Sequence, residues 1–369
     1  MNNNTFDIAE LPAGRKPISG TWVFIWRQNQ AGEVVRGKAR LVAKGFLQRE
    51  GVDFLETFSP TPAPYYIAMI AITALQRDWG LSHWDIEKAF IRSDIDREIY
   101  FTSPDGCDEF SGKVIKLNKS LYGLRQPPRV FNQLMMSKLV AFGLKRRASD
   151  QSIFRLTSLD GKEVRLVVGV YADNIIVTGE SRYCRGLRSF LQQSFPTKDL
   201  GSLSNFVGCE YSRNRTAGTL RVTQTACIDR LEERFGVTTS SPIPALTLVS
   251  LSPRKGEEAR CEKPYRYAVG GLMSIANATR TDTSNAVHEV AQQAHGPSET
   301  HWRAVLKVME YLKDIRDKGI TYKKSPSSRL TAYADSSFAE NKQDKRSISW
   351  GVVFFAGGRS RGSTERRTA

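Results

Sequence analysis

An α+β fold is what this sequence predicts, and three features carry the prediction. Arg165 to Gly179 sets two β-branched, apolar runs on either side of a polar pair, Asp173-Asn174, which is the pattern of a buried hairpin. Segments of helical spacing alternate with such strand-like runs through the middle of the chain, as at Ala63 to Leu75 and Cys184 to Phe195. Beyond residue 264, three helical segments follow in succession and then two more strands, so the mixed core carries appended subdomains.

Size and composition agree. A chain of 369 residues exceeds what one core normally serves, so two or three subdomains are expected. Hydrophobic content of 40% and charged content of 25% belong to an ordinary soluble globular protein. Lys and Arg number 54 against 38 Asp and Glu, a formal charge of +16 that suits a polyanionic partner, nucleic acid being the commonest. Charge alone does not separate an enzyme acting on nucleic acid from a passive binder. Cys107, Cys184, Cys209, Cys227 and Cys261 are scattered without a CxxC pair, which argues against a disulfide framework or structural zinc and for a reducing compartment. His288, His295 and His301 lack nearby Cys partners and read as surface or helix-packing residues. Met1 to Asn4 carries no basic-then-apolar signal, and no run approaches ~20 apolar residues, so a soluble, non-secreted protein is expected.

In chain order, residues 1–18 form a short polar lead-in. Thr21 to Trp26, the turn Gln30-Ala31-Gly32 and a basic strand from Val34 to Val42 make a hairpin. Side chains alternate along a strand, so Lys38, Arg40 and Val42 share a face, with Lys44 just beyond. That basic face suits a nucleoside triphosphate or a template backbone, and equally a solvated edge strand guarded by Lys. Ala63 to Leu75 is a core helix, followed by the strand carrying Asp85 and by another at Val114 to Leu117. Ser120 to Arg129 is a loop by its Gly and paired Pro, and a helix from about Arg129 to Phe142 is closed by Gly143.

After the central hairpin, Cys184 to Phe195 is a basic amphipathic helix. Asn205 to Tyr211 and Thr219 to Val222 pair as a second hairpin. Ile228, Leu231 and Phe235 share a helical face that Gly236 stops with a left-handed residue. Residues 238–264, rich in Ser, Thr, Pro and charge, read as a linker. Helices follow over about 265–279, 284–295 and 298–316, the last with Ser298 as N-cap and Gly319 past its end. Arg329 to Asp335 then pairs with Ser349 to Phe355.

A tight turn alone would account for Asp173-Asn174, since both residue types tolerate left-handed backbone. His83 to Phe90 changes the balance by placing Asp85 at the end of a short apolar strand. Two carboxylates at the ends of neighbouring strands can share divalent cations, which nucleotidyl transfer to a primer hydroxyl requires.

Several ordered segments carry a resemblance. Lys38 to Gly45, Glu56-Thr57-Phe58-Ser59-Pro60, Asp85 to Phe90, Ser120 to Arg129, Tyr171 to Asn174, Lys198-Asp199-Leu200-Gly201 and Tyr267 to Met273 follow one another at family-like spacing. In that order they resemble the reverse transcriptase of copia-type long-terminal-repeat retrotransposons. The resemblance covers nearly the whole chain. It implies a right-hand polymerase, with fingers, palm and thumb over 19–237, a linker over 238–264 and a helical connection over 265–325. A truncated RNase H-like α/β segment over 326–369 would follow. The implied activity is RNA-directed DNA polymerisation on an RNA or DNA template with a DNA primer and dNTPs. Mg²⁺ is the implied cofactor, with Mn²⁺ as an alternative, and the implied location is a cytoplasmic particle or the nucleus, away from membranes.

Residue by residue, the resemblance implies that Asp85 and Asp173 are the metal-binding carboxylates of the palm. Phe90 matches an aromatic gate against a ribose 2′-hydroxyl, and an ordinary core Phe would look the same. Gln126 matches a glutamine that contacts the incoming nucleotide, and Arg40, with Lys38 and Lys44, would hold its triphosphate. Phe206-Val207-Gly208 resembles a primer grip, and Lys198 a proton donor to pyrophosphate. Asp335 matches the first acid of the nuclease, whose next acid would lie beyond Ala369, so RNase H activity is not expected.

The sequence departs from the family at the hairpin tip, usually Tyr-Val-Asp-Asp, where Ala172 and Asn174 stand. An amide in place of the second carboxylate removes one negative charge beside two dications. By analogy with losing a preorganised electrostatic group, a rate loss on the order of 10²–10³ or more is expected. Arg92-Ser93, Val130-Phe131 and Thr281 depart as well. The expectation is a folded palm with severely reduced or absent polymerisation, the alternative to an active enzyme being an inactive nucleic-acid-binding remnant.

Overall fold

A computed structural model describes residues 4–28, 33–104, 106, 112–239, 251–252, 254, 258–336 and 347–367. The Gln30-Ala31-Gly32 turn, Cys107, Asp344 to Arg346 and most of the expected linker lie outside them. The chain runs through β1 (Phe6–Ala9), β2 (Gly20–Gln28), β3 (Val34–Ala43), α1 (Pro64–Gln76), β4 (Gly80–Ile86), β5 (Tyr100–Thr102) and β6 (Val114–Leu117). It continues with α2 (Pro127–Ala141), β7 (Lys145–Arg146), β8 (Ile153–Thr157), β9 (Val164–Tyr171), β10 (Asn174–Gly179), α3 (Ser181–Gln192) and β11 (Thr197–Ser202). Then come β12 (Asn205–Phe206), β13 (Cys209–Asn214), β14 (Thr219–Thr223), α4 (Thr225–Phe235), α5 (Tyr265–Ala278), α6 (Ser284–Gln292) and α7 (Glu299–Asp314). The last elements are β15 (Ile320–Lys323), β16 (Leu330–Ser336), β17 (Ser347–Phe355) and β18 (Gly358–Arg367). Helix and sheet are mixed along the chain, the α+β class the pattern predicts.

Contacts divide the chain into two units. The first comprises Met1–Pro62 and Ser82–Gly201. Its main sheet has the order β11-β4-β10-β9-β8-β7. In β9 and β10 the β-branched runs pair from Asn174↔Tyr171 to Gly179↔Leu166. Val168, Val170, Ile175 and Val177 pack with Phe131, Met135 and Leu139 of α2 and Leu187 and Leu191 of α3. Trp84 and Ile86 of β4 join the same core. The alternation of the strand therefore sends His83 and Asp85 to the opposite face, where both are half-buried.

A smaller sheet, β1-β6-β5, is buried by Ile18, Leu121 and Leu124. Its edge strand β1 comes from the stretch that reads as a polar lead-in, because four residues are too few to display a period of two. The hairpin of β2 and β3 stands as a two-stranded sheet. Its end is fixed by backbone-to-backbone contact: the Ala43 N–H donates to the Tyr122 carbonyl at 2.7 Å. A Cβ on Gly45 would lie 2.1 Å from the Gly123 carbonyl oxygen, and one on Gly123, at φ +88°, 2.2 Å from that of Ala43. Only glycine at both positions lets the loop after β6 cross the end of β3 this closely.

The second unit comprises Ala63–Leu81 and Ser202–Ala369. It holds the sheets β12-β13-β14-β15 and β16-β17-β18, with α1 packed on β14, β15 and β18. Helices α4 to α7 share a core that includes Ile228, Leu231, Leu272, Ile275, Val305 and Met309. Gly236 ends α4 at φ +63°. Ser298 caps α7, where His301 Nδ1 accepts from the Ser298 N–H at 3.0 Å and its Nε2 lies 2.8 Å from the Ser252 carbonyl. His301 is thus a buried capping residue. Buried Arg280 forks onto Asp282 at 3.0 and 2.7 Å, and Tyr311 donates to the same carboxylate at 2.9 Å, so the charge is paired. Cys184, Cys209, Cys227 and Cys261 are free thiols. No helix among the described residues is long and apolar enough to cross a membrane.

Candidate active site

The two sequence-distant aspartates meet in the first unit. The Ile86 N–H, one residue past Asp85, donates to the Asp173 carbonyl at 2.9 Å. Burial raises the Asp85 pKa above its ordinary 3.8, and the neighbouring Asp173 carboxylate raises it further, while His83 and Lys198 act in the opposite direction. Two carboxylates that feel one another at the ends of adjoining strands could hold a hard cation. Among the described residues there is no group of three or more His, Cys, Asp or Glu that could close a protein cage. Mg²⁺ ordinarily takes one or two carboxylates and completes its shell with water and substrate phosphates, so this donor pair fits it.

At the turn, the structure refines the sequence expectation. The loop residues are Ala172 and Asp173, and Asn174 is the first residue of β10, paired with Tyr171. The left-handed backbone falls on Ala172, at φ +54°, not on Asn174. The fitness of Asn for turns therefore does not explain why the hairpin closes; Ala172 does so at a conformational cost of about 1–2 kcal/mol. Ala172→Gly is expected to raise stability by about 0.5–1 kcal/mol in urea unfolding. An unchanged or lower midpoint would contradict a left-handed residue there.

Asn174 bridges two neighbours. Its Nδ2 donates to Asp173 Oδ1 at 2.9 Å, and its Oδ1 lies 2.8 Å from His83 Nε2. On another side, the Arg40 guanidinium sits over the Tyr122 ring, 5.3 Å from its centroid. Burial raises the Tyr122 pKa, Arg40 lowers it, and both Asp173 and Asp85 raise it, which puts these four residues in one electrostatic neighbourhood. Half-buried Phe90 packs on Tyr122, with ring centroids 5.1 Å apart, and meets Phe131 edge-on at 6.3 Å.

Gln126 has no exposed surface. Its Nε2 donates to the Asp53 carbonyl at 3.0 Å and its Oε1 accepts from Gln48 Nε2 at 2.9 Å, while Gln48 Oε1 takes the Arg125 N–H at 2.8 Å. Both ends of the Gln126 amide thus tie the 120–129 loop to residues 48–53, where the resemblance has it contacting an incoming nucleotide. In the β2–β3 hairpin, Lys38 lies opposite Ile25 and Arg40 opposite Val23, on one face with Arg36 and Arg27. Neither strand contains an acid. Lys44 follows β3, its N–H bonded to the Ser19 carbonyl at 2.9 Å. Lys198 lies on β11, beside β4.

The remaining candidates lie in the second unit. Phe206 pairs with Cys209 across a two-residue turn, Val207 at φ +48° and Gly208 at φ +74°. A β-branched residue in that region is a strained one. Asp335 is exposed on β16, opposite Trp350 in the ladder. Sequence reasoning missed two members of the site. His83 was findable, since it stands two residues before Asp85 on the same strand; Tyr122 sits in a loop, where no period points to it.

The chain is similar to several known proteins. Residues 3–248 match the family described as reverse transcriptase (RNA-dependent DNA polymerase). Over 97% of its length the chain is 32% identical to the retrovirus-related Pol polyprotein from transposon TNT 1-94 of Nicotiana tabacum, covering 28% of that protein. It is 33% identical over 96% of its length to the corresponding polyprotein from transposon RE1 of Arabidopsis thaliana, covering 24% of it. The chain thus spans about a quarter of these relatives' lengths. A foamy viral protease–reverse transcriptase, solved in complex with double-stranded DNA, is similar at a TM-score of 0.46 and 12% identity, over 90% of this chain and 50% of that one.

Proposed function

The chain belongs to the reverse transcriptase family of copia-type retrotransposons, and from that footing we propose that it carries the polymerase centre of an RNA-directed DNA polymerase, weakened at Asn174. The observation that carries this reading is the apposition of Asp85 and Asp173 at adjoining strand ends. Asp85 and Asp173 would hold a pair of Mg²⁺ ions, or Mn²⁺ in their place. When bound, such a pair lowers the pKa of a primer 3′-hydroxyl and neutralises the charge of the leaving pyrophosphate.

The chain's own residues do the rest. Arg40, held over Tyr122, and the neighbouring Lys38 and Lys44 bind the triphosphate of a dNTP. Phe90, wedged against Tyr122 and Phe131, blocks a ribose 2′-hydroxyl. Gln126 acts from within, by anchoring the loop that carries Tyr122. Lys198 delivers a proton to pyrophosphate, and in the second unit Phe206-Val207-Gly208 grips the primer. Residues 19–237 are read as fingers, palm and thumb, 265–325 as a helical connection, and 326–369, with Asp335, as an RNase H-like segment.

A second reading is an inactive nucleic-acid-binding remnant, favoured by Asn174, which supplies no charge to a metal site. Purified chain with an RNA template, a DNA primer, dNTPs and Mg²⁺ or Mn²⁺ separates the two. Extension that Asp85→Ala abolishes supports the enzyme. Template binding without extension, weakening steeply as salt rises, supports the remnant, because a net charge of +16 binds phosphates by releasing counterions.

A further inference from the structure

The amide of Asn174 can be set in two orientations, and its neighbours leave only one. An ionised carboxylate accepts hydrogen bonds and donates none, so the group 2.9 Å from Asp173 Oδ1 must be the Asn174 NH₂. The amide oxygen then faces His83 Nε2 at 2.8 Å. An amide oxygen also only accepts, so the imidazole carries its proton on Nε2 and donates. The result is a directional relay, His83 Nε2–H to Asn174 Oδ1 and Asn174 Nδ2–H to Asp173 Oδ1. It joins β4 to the tip of the hairpin, across 91 positions of sequence.

From this chemistry we infer that His83 is a positioning residue: by donating to Asn174 it locks the amide that holds one oxygen of Asp173, and so sets the carboxylate for metal capture. The inference rests on the reading of Asp85 and Asp173 as a metal site. Without the imidazole donor the amide is free to rotate. A rotated amide presents its oxygen to the carboxylate, which repels it and loses its orientation. In a site with one carboxylate fewer than the family pattern, the remaining ligand depends more on neutral hydrogen bonds for its aim.

The test measures Mn²⁺ binding to the purified chain by electron paramagnetic resonance, at one fixed pH, in the parent, in Asp85→Asn, His83→Leu, His83→Gln and Asn174→Leu, and in the double variant carrying His83→Leu and Asn174→Leu. Removing a group that orients a metal ligand commonly costs 10–100-fold in affinity. His83→Leu is expected to weaken Mn²⁺ binding by about 10-fold or more. His83→Gln, whose side-chain NH₂ can make the same donation, is expected to recover most of it. In the Asn174→Leu background, His83→Leu is expected to have little further effect, because the two residues act in series. Melting curves identify any variant that does not fold, and His83→Gln then carries the comparison with Asn174→Leu. Parent-like binding by His83→Leu, or a loss that is unchanged in the Asn174→Leu background, overturns the relay while leaving the metal site standing. Mn²⁺ binding that is absent in the parent, or that survives Asp85→Asn undiminished, overturns the metal site and the relay with it.

Discussion

Asp85→Asn is expected to lower primer extension by about 10³-fold or more, and at the same time to raise the melting temperature of the metal-free protein at neutral pH. The loss follows from removing one of the two carboxylates proposed to hold the metals. The gain follows from the electrostatics of the two carboxylates in the metal-free protein. Burial first, and then Asp173, push the Asp85 pKa above its unfolded value of 3.8. A carboxyl whose folded pKa is raised stabilises the fold only while protonated; that contribution is lost as pH rises through the folded pKa. At neutral pH, ionised Asp85 therefore opposes folding, and Asn, with the same shape and no charge, does not. The stability advantage of Asp85→Asn should be complete above the raised pKa, shrink as pH falls toward 3.8 and vanish below it. Thermal melts across that range, paired with extension assays, check both halves. A variant that loses activity and also melts lower at neutral pH would mean that Asp85 is a packing residue and not a strained functional one.

Asn174→Asp is expected to act in the opposite direction, raising extension by about 10²-fold at saturating Mg²⁺. Three of the other departures from the family pattern are accommodated. Ser93 is buried, with its hydroxyl bonded to the Phe90 carbonyl at 2.9 Å. Phe131 lies fully inside the core, and Thr281 accepts a bond from Arg359 at 2.9 Å. Asn174 is the departure whose side chain bonds to the carboxylate pair, through Asp173. Aspartate there would still accept from His83 Nε2, so the link to β4 survives, but the donation to Asp173 becomes a repulsion between two anions. In the metal-free protein that repulsion should lower the melting temperature, and bound dications should reverse it. Steady-state extension across a Mg²⁺ titration, with melts at each concentration, reads both effects. If extension does not rise, the missing charge is not what limits this chain.

Much of the fold is legible because it is local. Helices α1, α2, α5 and α7 are long enough to display their apolar period, and Ser298 and Gly236 announce the start of α7 and the end of α4 chemically. The central hairpin is legible for the same reason: two β-branched runs surround a short polar turn. Strands of two to four residues, such as β1, β7 and β12, are too short for any period, and β1 exists through its pairing with distant β6. Residues Ala63–Leu81 group with the second unit although their sequence neighbours on both sides belong to the first, a choice no local pattern records.

Aspartates at the ends of two strand-like runs, a basic strand face and a strong positive charge were fixed by covalent order and composition, since strand alternation and charge require no partner to be known. Folding alone decided that Ala172, not Asn174, takes the left-handed turn position, that Gln126 faces inward, and that His83 and Tyr122 belong to the site. Each of those outcomes depends on which hydrogen-bonding groups and rings are brought within a few ångströms across tens of residues of chain. A linear pattern carries the identity of those groups but not their distances.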